Sequence, residues 1–268
     1  MTDYPFVKGH GTENDFVLLP DPDGSVHGEL TAERVRALCD RRAGIGGDGV
    51  LRVVRGEVYG ADTPWFMDYR NSDGSVSEMC GNGIRVFARF LQLTEAATGT
   101  IAVGTRDGVK SVVFEEDGRI TADLGEPEVL GESTVSVGDR SWSALHVSTG
   151  NPHAVAFVDA LTDAGSLVDE PDYDPAVYPD GVNVEFVVRR GERHVAMRVH
   201  ERGSGATRSC GTGACAVMVA SALADGAGPG STYRVDVPGG ELEVTWTDDN
   251  RLLLTGPAVL VATGTTDL

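Results

Sequence analysis

Short β-rich runs separated by turn residues dominate the pattern of hydrophobic and polar positions along the chain. Residues 109–115 and 119–124 are two such runs, and the Asp117-Gly118 pair between them is typical of a β-hairpin. The pattern therefore predicts a fold in which antiparallel strands prevail. Two more antiparallel pairs are predicted at 241–247 with 251–255 and at 184–188 with 195–199.

Helical periodicity is clearest in three segments. Thr31 is a suitable N-cap for a helix over 32–42, and the other two helices are predicted at 84–93 and 214–224. The last segment is apolar on nearly every side, which is typical of a helix enclosed by a sheet. Each of the latter two helices follows a Cys-Gly-x-Gly motif, so we expect a cysteine at the start of each.

The two cysteine motifs belong to an internal repeat. Cys80–Gly83 (Cys-Gly-Asn-Gly) returns about half a chain length later as Cys210–Gly213 (Cys-Gly-Thr-Gly). Such ordered matches indicate an old duplication, with chance matching of short glycine motifs as the alternative. Two other matches keep the same order, namely Asp48–Val50 with Asp180–Val182 and Asn14 with Asn151.

The repeat defines the predicted architecture. We expect an α+β fold of two pseudo-symmetric domains, each of mostly antiparallel strands wrapped around a central helix. The first domain is expected to cover residues 1–126 and the second residues 127–255. The tail at 256–268 is expected to pack back on the first domain.

The composition narrows the classes of partner. The 268 residues carry a net charge of −19, and the hydrophobic share of 41% and charged share of 24% are ordinary for a globular protein. The negative charge opposes binding to nucleic acid and to anionic membranes. No signal peptide and no apolar run of membrane-spanning length is recognised, so we expect a cytoplasmic protein whose four cysteines are thiols.

A cysteine at the start of a helix is well placed for chemistry. The unpaired N–H groups and the partial positive charge there stabilise a thiolate, which predicts a lowered pKa for the thiol. The glycines of both motifs leave backbone amides bare, so that each motif can hold a carboxylate. We therefore expect Cys80 and Cys210 to be reactive, and Cys39 and Cys215, which lie inside helices, to be core residues.

Two equivalent thiols indicate a proton transfer across one carbon atom. In a cleft between the halves, one cysteine as thiolate removes an α-hydrogen and the other as thiol returns a proton to the opposite face. Helix N-termini aimed at the α-carboxylate stabilise the carbanionic transition state. Because Lys8 and Lys110 are the only lysines, a Schiff base with pyridoxal phosphate is disfavoured, and we expect no cofactor.

Other site motifs are weak or missing. The sequence has no CxxC and no HExxH, so we expect no metal site. The GxGxxG match at 44–49 follows a predicted helix, whereas a dinucleotide site requires a preceding strand.

Along nearly its whole length the sequence resembles the diaminopimelate epimerase family. The specific matches are the two cysteine blocks, at 69–83 and 201–214. Shorter motifs that support the resemblance lie at 8–16 (KGHGTENDF), 149–153 (TGNPH) and 181–183 (GVN).

The resemblance implies a role for each matching residue. Cys80 and Cys210 match the proton donor and acceptor, and Glu201, near the reacting amino group, is implied to tune the cysteine pair together with His153. Arg202 is implied to hold the distal carboxylate with its bidentate guanidinium. The backbone amides implied to hold the α-carboxylate belong to Gly81, Asn82, Gly211 and Thr212. The asparagines implied to bind substrate are Asn14, Asn71, Asn151 and Asn183, for which turn formation is the alternative.

Three positions depart from the family pattern. Gly49 stands where some members carry glutamine, Ala206 where a glutamate is usual, and Glu13 where glycine is common. None of the three is a reactive cysteine. The departures therefore bear on the shape of the substrate pocket and leave the chemistry intact.

The expected function is that of a cofactor-independent epimerase interconverting LL- and meso-2,6-diaminopimelate in lysine and peptidoglycan precursor biosynthesis. Its partner is a small-molecule substrate, and a homodimer is implied by the family. The nearest alternative is a racemase of another amino acid on the same fold, and Arg202, Asn71 and Asn183 argue against it because a one-ended substrate needs no distal clamp. A thiol–disulfide redox protein and a non-catalytic amino-acid-binding module are alternatives of other classes.

Overall fold

The computed structural model describes residues 3–268. Backbone contacts divide the chain into two compact units. The first runs to Ala122 and includes Gly256–Leu268, and the second spans Asp123–Thr255. Within the described residues, no helix is long and apolar enough to cross a membrane.

The first unit consists of strands and two α-helices. Antiparallel pairs join β1 to β2 and β18, β3 to β4, and β6 to β5 and β7. Two pairs are parallel, β2 with β3 and β4 with β5, and each is connected through a helix, as parallel strands require. The strands of this unit are β1 (Tyr4–Gly11), β2 (Asn14–Pro20), β3 (Gly49–Arg55), β4 (Trp65–Asn71), β5 (Thr100–Thr105), β6 (Gly108–Phe114), β7 (Ile120–Asp123) and β18 (Val259–Thr266), and its helices are α1 (Ala32–Cys39) and α2 (Gly81–Thr94).

Helix α1 begins where the sequence predicts and ends earlier. Thr31 is the N-cap, and its side chain accepts a hydrogen bond from the Arg34 N–H. The helix stops at Cys39 rather than at residue 42 because Asp40 leaves the helical conformation. The Asp40 carboxylate then accepts the backbone N–H groups of Arg42 and Ala43, both at 2.7 Å, which a continuing helix would have bonded itself.

The second unit repeats this plan with one α-helix. Strands β10 and β12 are parallel, as are β13 and β15, and the remaining pairs are antiparallel. The predicted α+β class with mostly antiparallel strands is confirmed. The elements are β8 (Glu128–Val137), β9 (Arg140–Ser148), β10 (Pro152–Phe157), β11 (Asp172–Tyr173), β12 (Asn183–Gly191), β13 (His194–Glu201), β14 (Gly205–Thr207), α3 (Gly211–Ala224), β15 (Ser231–Val237), β16 (Gly240–Trp246) and β17 (Leu252–Gly256).

The two helices that follow the cysteine motifs are the central helices of their units. Helix α3 packs against β9, β10, β12, β13, β15 and β16, and it is buried from Gly213 to Ala222. Helix α2 packs against β1 to β4 and β18, and it is exposed only toward its C-terminal end, where Leu93 lies. Both helices begin three residues earlier than their apolar periodicity indicates, because the first turn of each is made by the glycine motif.

Candidate active site

Cys80, the first cysteine expected to be reactive, is the N-cap of helix α2. Its backbone is extended, with φ −144° and ψ 120°, and the Gly83 N–H donates to Cys80 Sγ at 3.3 Å. The sulfur thus takes the place that a serine or aspartate oxygen usually takes in a helix cap. The side chain is half-buried. The expected position of a thiol at the start of this helix is therefore confirmed.

Two asparagine amides lie beside Cys80 in fixed orientations. Asn14 Oδ1 lies 3.9 Å from Cys80 Sγ and accepts a hydrogen bond from Asn82 Nδ2 at 3.2 Å. Buried Arg85, which can only donate, donates to Asn82 Oδ1 at 2.7 Å, and Asn14 Nδ2 donates to the Asp48 carboxylate at 2.7 Å. Because a donor and an acceptor of fixed type stand at the two ends, neither amide can turn without losing bonds.

Cys210, the second cysteine expected to be reactive, is the N-cap of helix α3 in the same manner. Its φ of −119° and ψ of 117° are extended, and the Gly213 N–H donates to Cys210 Sγ at 3.3 Å. The Thr212 hydroxyl lies 3.5 Å from the sulfur. Cys210 is only 4% exposed, so its surroundings are drier than those of Cys80.

The expected lowering of the Cys210 pKa is wrong. Burial raises the pKa of the Cys210 thiol well above its usual range, and the charges of Glu201 and Glu185 raise it further. The hydrogen bonds from Thr212 and Gly213 act in the opposite direction but do not compensate. The helix N-terminus that the sequence predicts is present, yet loss of water and two nearby carboxylates outweigh the hydrogen bond from its Gly213 N–H.

Glu201 adjoins Cys210 at the end of β13. Thr207 Oγ1 donates a hydrogen bond to Glu201 Oε1, and the Cys210 thiol forms a further hydrogen bond with this carboxyl group. Burial raises the pKa of Glu201, while these two hydrogen bonds act against the increase. The carboxyl group and the thiol are thus direct neighbours.

A buried hydrogen-bonded chain links Asn151, His153 and Glu185. His153 Nδ1 lies 2.7 Å from Glu185 Oε1, and His153 Nε2 lies 3.0 Å from Asn151 Oδ1. His153 and Glu185 are both fully buried. Burial raises the pKa of Glu185, and the charge and hydrogen bond of His153 oppose that increase. Thr149, next to this chain, donates to the Thr212 carbonyl at 3.3 Å, which brings the 149–151 loop to the first turn of α3.

Asn183 and Arg202 form a second group in the same unit. Asn183 Oδ1 accepts the Arg202 N–H at 3.0 Å, and Asn183 Nδ2 donates to the Pro152 carbonyl at 2.9 Å. The Arg202 guanidinium is exposed and donates to the Asp180 carbonyl at 2.9 Å, with no carboxylate partner in the described part of the chain. It remains free to bind an external carboxylate.

Asn71 is held in a turn. Its Nδ2 donates to Ser75 Oγ at 3.0 Å, and its carbonyl accepts the Gly74 N–H at 2.9 Å. This is the turn geometry that the sequence leaves open as the alternative for asparagine. No described contact joins Asn71 to Cys80 or to the amides beside it.

Each unit thus brings together part of the predicted set. In the first unit Cys80, Asn14 and Asn82 are neighbours, and Gly81 forms the first helical residue of α2. In the second unit the neighbours are Asn151, His153, Asn183, Glu201, Arg202, Cys210, Gly211 and Thr212, in the hydrogen-bonded groups described above.

The structure shows the surroundings of the three positions that depart from the family pattern, Gly49, Glu13 and Ala206. A Cβ at Gly49 would lie 2.6 Å from both the Arg70 carbonyl oxygen and Tyr69 Cε2, so this chain has no room for a side chain there. Glu13 has φ +61°, a left-handed conformation that glycine adopts more easily. Ala206 lies on β14 and is exposed.

Three residues of these networks, Asp48, Arg85 and Glu185, are not part of the site predicted from the sequence. Glu185 had a detectable signal, because it is a lone charged residue within the apolar run 182–188. A charge at such a position is rarely buried without a partner. Neither Asp48 nor Arg85 could be singled out, because their roles depend on amides brought close by the fold.

The comparisons with known proteins agree with the geometry. The family model described as "Diaminopimelate epimerase" matches residues 6–130 and 145–261. A diaminopimelate epimerase from Streptomyces coelicolor is 57% identical over 276 aligned residues, which cover 98% of this chain and 95% of that protein.

Two solved structures share the fold. A phenazine biosynthesis protein of the PhzF family from Bacillus anthracis has a TM-score of 0.75 and 16% identity, with 100% of both chains covered. A hydroxyproline epimerase from Agrobacterium vitis has a TM-score of 0.70 and 13% identity, with 99% of this chain and 92% of that one covered. Identities this low show a common fold alone, whereas the sequence matches show the family and confirm the resemblance drawn from the cysteine blocks. The chain belongs to the diaminopimelate epimerase family.

Proposed function

We propose that this protein is a cofactor-independent epimerase that interconverts LL- and meso-2,6-diaminopimelate, in the synthesis of lysine and peptidoglycan precursors. The observation that carries the proposal is the pair of cysteine N-caps. Cys80 and Cys210 each begin a buried helix and each accepts a glycine N–H on sulfur at 3.3 Å. A family relative of 57% identity is a diaminopimelate epimerase.

The reaction is a proton transfer between two sulfur atoms by way of one carbon. A thiolate removes the α-hydrogen, so the C–H electron pair stays on carbon as a carbanion conjugated with the α-carboxylate. The second cysteine, as thiol, then gives its proton to the opposite face of that carbon and becomes a thiolate. Each turnover inverts one stereocentre and exchanges the protonation states of the two cysteines, with no net gain or loss of protons.

The first turns of α2 and α3 supply the electrostatic part of this mechanism. Gly81 and Asn82 open α2, while Gly211 and Thr212 open α3. The N–H groups of a first helical turn have no partner inside the helix, and the helix dipole adds partial positive charge. These amides are proposed to hold the α-carboxylate and to stabilise the negative charge that develops beside it.

Arg202 and the asparagines are proposed to hold the rest of the substrate. An exposed guanidinium with no carboxylate partner among residues 3–268 suits the distal carboxylate of diaminopimelate, because its two parallel N–H groups match the two oxygens. Asn14, Asn71, Asn151 and Asn183 are proposed to add polar contacts. Glu201 and His153 are proposed to tune the protonation of the cysteine pair.

Both lysines of the chain are engaged elsewhere, which supports a route without pyridoxal phosphate. Lys8 Nζ lies 2.6 Å from Asp15 Oδ2, and Lys110 Nζ lies 2.6 Å from Asp107 Oδ2. An ammonium group in an ion pair must leave its carboxylate partner before it can act as a nucleophile. Neither residue is therefore suited to form a Schiff base.

The test is proton NMR of LL-diaminopimelate with the protein in D₂O and no added cofactor. We expect meso product with deuterium at the inverted α-carbon, and no epimerisation by Cys80→Ala or Cys210→Ala. Cys215→Ala, which removes a buried thiol one turn inside α3, is the matched control and should retain activity. An active Cys80→Ala enzyme would refute the two-thiol mechanism, and exchange seen only with another amino acid would favour the racemase alternative.

Assembly and location are further parts of the proposal. The duplicated domains are proposed to span residues 1–126 and 127–255, with 256–268 joined to the first. Strand β18 pairs with β1 along one edge, and exposed Val259 and Val261 lie on it, which supports a homodimer testable by light scattering. The proposed compartment is the cytoplasm, where a reducing medium keeps the four free cysteines as thiols.

A further inference from the structure

Glu185 is a fully buried carboxyl group to which the proposed reaction assigns no part. Its Oε1 is hydrogen-bonded to His153 Nδ1 at 2.7 Å, but its Oε2 has no hydrogen-bond partner within residues 3–268. Removing a carboxylate from water without full hydrogen bonding is costly, so buried acids with a bare oxygen are uncommon. A residue kept in this state is expected to act on its neighbours.

The neighbour that Glu185 faces is the start of helix α3. A Cβ placed on Gly213 would lie 2.6 Å from Glu185 Oε1 and 3.3 Å from Cys210 Sγ. The carboxyl oxygen and the reactive sulfur therefore flank the same glycine. Gly213 leaves space for this carboxyl group, in addition to donating its N–H to the sulfur.

The first unit shows that the fold does not require a charge at this place. Leu51 is the third residue of β3, as Glu185 is the third residue of β12. A Cβ on Gly83 would lie 3.3 Å from Leu51 Cδ2 and 3.5 Å from Cys80 Sγ. The helix start of the first unit is thus supported by a leucine, and that of the second by a carboxyl group.

The strand next to each of these residues differs in the same way. In the parallel pair β2–β3, Leu51 is paired with Leu18, and Phe16 lies two residues before Leu18. In the parallel pair β10–β12, Glu185 is paired with Val155, and His153 likewise lies two residues before Val155. Phe16 and Leu51 are fully buried apolar residues, whereas His153 and Glu185 are a fully buried ionisable pair. The two cysteines therefore stand on surfaces of opposite chemical character.

We propose that Glu185 is a positioning residue that keeps Cys210 in the neutral thiol form, so that the resting enzyme presents Cys210 as the proton donor. The proposal deepens the proposed two-thiol function and rests on it for the meaning of that donor. Its physical basis is that a negative charge in a dry interior acts on a nearby group with little screening. Formation of a thiolate at Cys210 therefore requires more free energy than it would if a leucine stood in the place of Glu185, as Leu51 does in the first unit.

Other titratable groups around Cys210 act in known directions. Glu201, on β13, opposes the thiolate as Glu185 does, and both raise the pKa of Cys210 in addition to the effect of burial. His153, on β10, stabilises the charged form of Glu185. His146, on β9, lies beyond His153, and burial together with the charge of His153 lowers its pKa. Of the two carboxylates, Glu185 is the one that is not itself proposed to lie near the substrate.

The test is a titration of the Cys210 thiolate by ultraviolet absorbance in the full-length protein without substrate. Each protein is measured beside the same protein carrying Cys210→Ser, so that the difference reports one sulfur. We expect Glu185→Gln to lower the midpoint by about one pH unit or more, a tenfold or greater rise in the thiolate-to-thiol ratio at a given pH. Glu192→Gln, which removes the same charge from the exposed turn between β12 and β13, should leave the midpoint unchanged.

A second variant provides the same test if Glu185→Gln does not fold. The double variant His153→Phe with Glu185→Leu copies the Phe16 and Leu51 pair of the first unit, and it should lower the midpoint in the same direction. A Cys210 midpoint at the wild-type value in a folded variant of either kind would overturn the proposal. Since the titration uses no substrate, its failure is distinct from a failure to epimerise diaminopimelate.

Discussion

Substituting alanine for glycine at the third helical position of α2 or α3 tests the structure of both helix starts. Gly83 and Gly213 are equivalent in their motifs, and neither has the left-handed φ that would penalise alanine. On helix propensity alone, each substitution should stabilise the protein by about 1 kcal/mol. The difference between the two variants then reports what lies against each glycine.

The contacts predict opposite outcomes. At Gly83 the new methyl would meet Cys80 Cβ at 3.2 Å and Leu51 Cδ2 at 3.3 Å, distances that a small shift of flexible apolar groups can relieve. At Gly213 it would meet Glu185 Oε1 at 2.6 Å, so the carboxyl group must move and give up its hydrogen bond to His153. Overpacking of a core costs about 1–3 kcal/mol and loss of a buried charged hydrogen bond a similar amount. We expect Gly213→Ala to destabilise the second unit by about 2 kcal/mol after the helix gain, and Gly83→Ala to be neutral within about 1 kcal/mol.

Urea unfolding followed by tryptophan fluorescence measures this difference. Trp65 belongs to the first unit, while Trp142 and Trp246 belong to the second, so a Trp65→Phe background reports the second unit alone. Gly213→Ala should lower the unfolding midpoint in that background. Equal midpoints for Gly213→Ala and the parent protein would refute the placement of Glu185 against the helix start.

Three further predictions concern other parts of the molecule. Arg202→Lys should raise KM for diaminopimelate at least about tenfold with a smaller change in kcat, because the single ammonium group of lysine replaces a bidentate guanidinium. An unchanged KM in steady-state kinetics would count against binding of the distal carboxylate by Arg202. Burial lowers the pKa of His27 from 6.5 to about 4, so the unfolded chain binds more protons than the folded chain between these pH values. The free energy of unfolding should therefore fall by up to about 3 kcal/mol as the pH drops from 6.5 to 4. His27→Phe should flatten this part of the stability-against-pH curve, and an unchanged slope would exclude His27 as its source. Glu13→Gly should raise the urea midpoint by the equivalent of about 0.5–1 kcal/mol, because glycine adopts the φ of +61° without strain. Glu13→Ala keeps the Cβ and should leave the midpoint unchanged. Equal effects of the two variants would show that backbone strain is not the cause.

The local elements of the fold were readable from the sequence because they depend on neighbouring residues. The predicted hairpins over 109–124 and 241–255 form as β6–β7 and β16–β17, and the run at 184–199 forms β12–β13. Helix α1 shows the limit of this reasoning, since the sequence predicts a helix to residue 42 whereas the Asp40 side chain ends it at Cys39. Parallel pairs such as β2–β3 could not be predicted, because a helix separates the two strands in sequence and only the tertiary fold sets their register.

The cysteines themselves were found from sequence because a repeated glycine motif fixes a helix start, and a helix start gives a thiol the same cap geometry in both units. Their protonation could not be found in that way. Helix dipoles act on Cys80 and Cys210 alike, whereas the group beneath each helix start is Leu51 in one unit and Glu185 in the other, brought there from a distant strand. The direction of the Cys210 pKa shift is set by burial and by carboxylates from two strands, so the same cap motif lies over chemically different groups in the two units. Which of the two thiols holds the proton first in the proposed reaction therefore depends on groups that the cysteine motif does not contain.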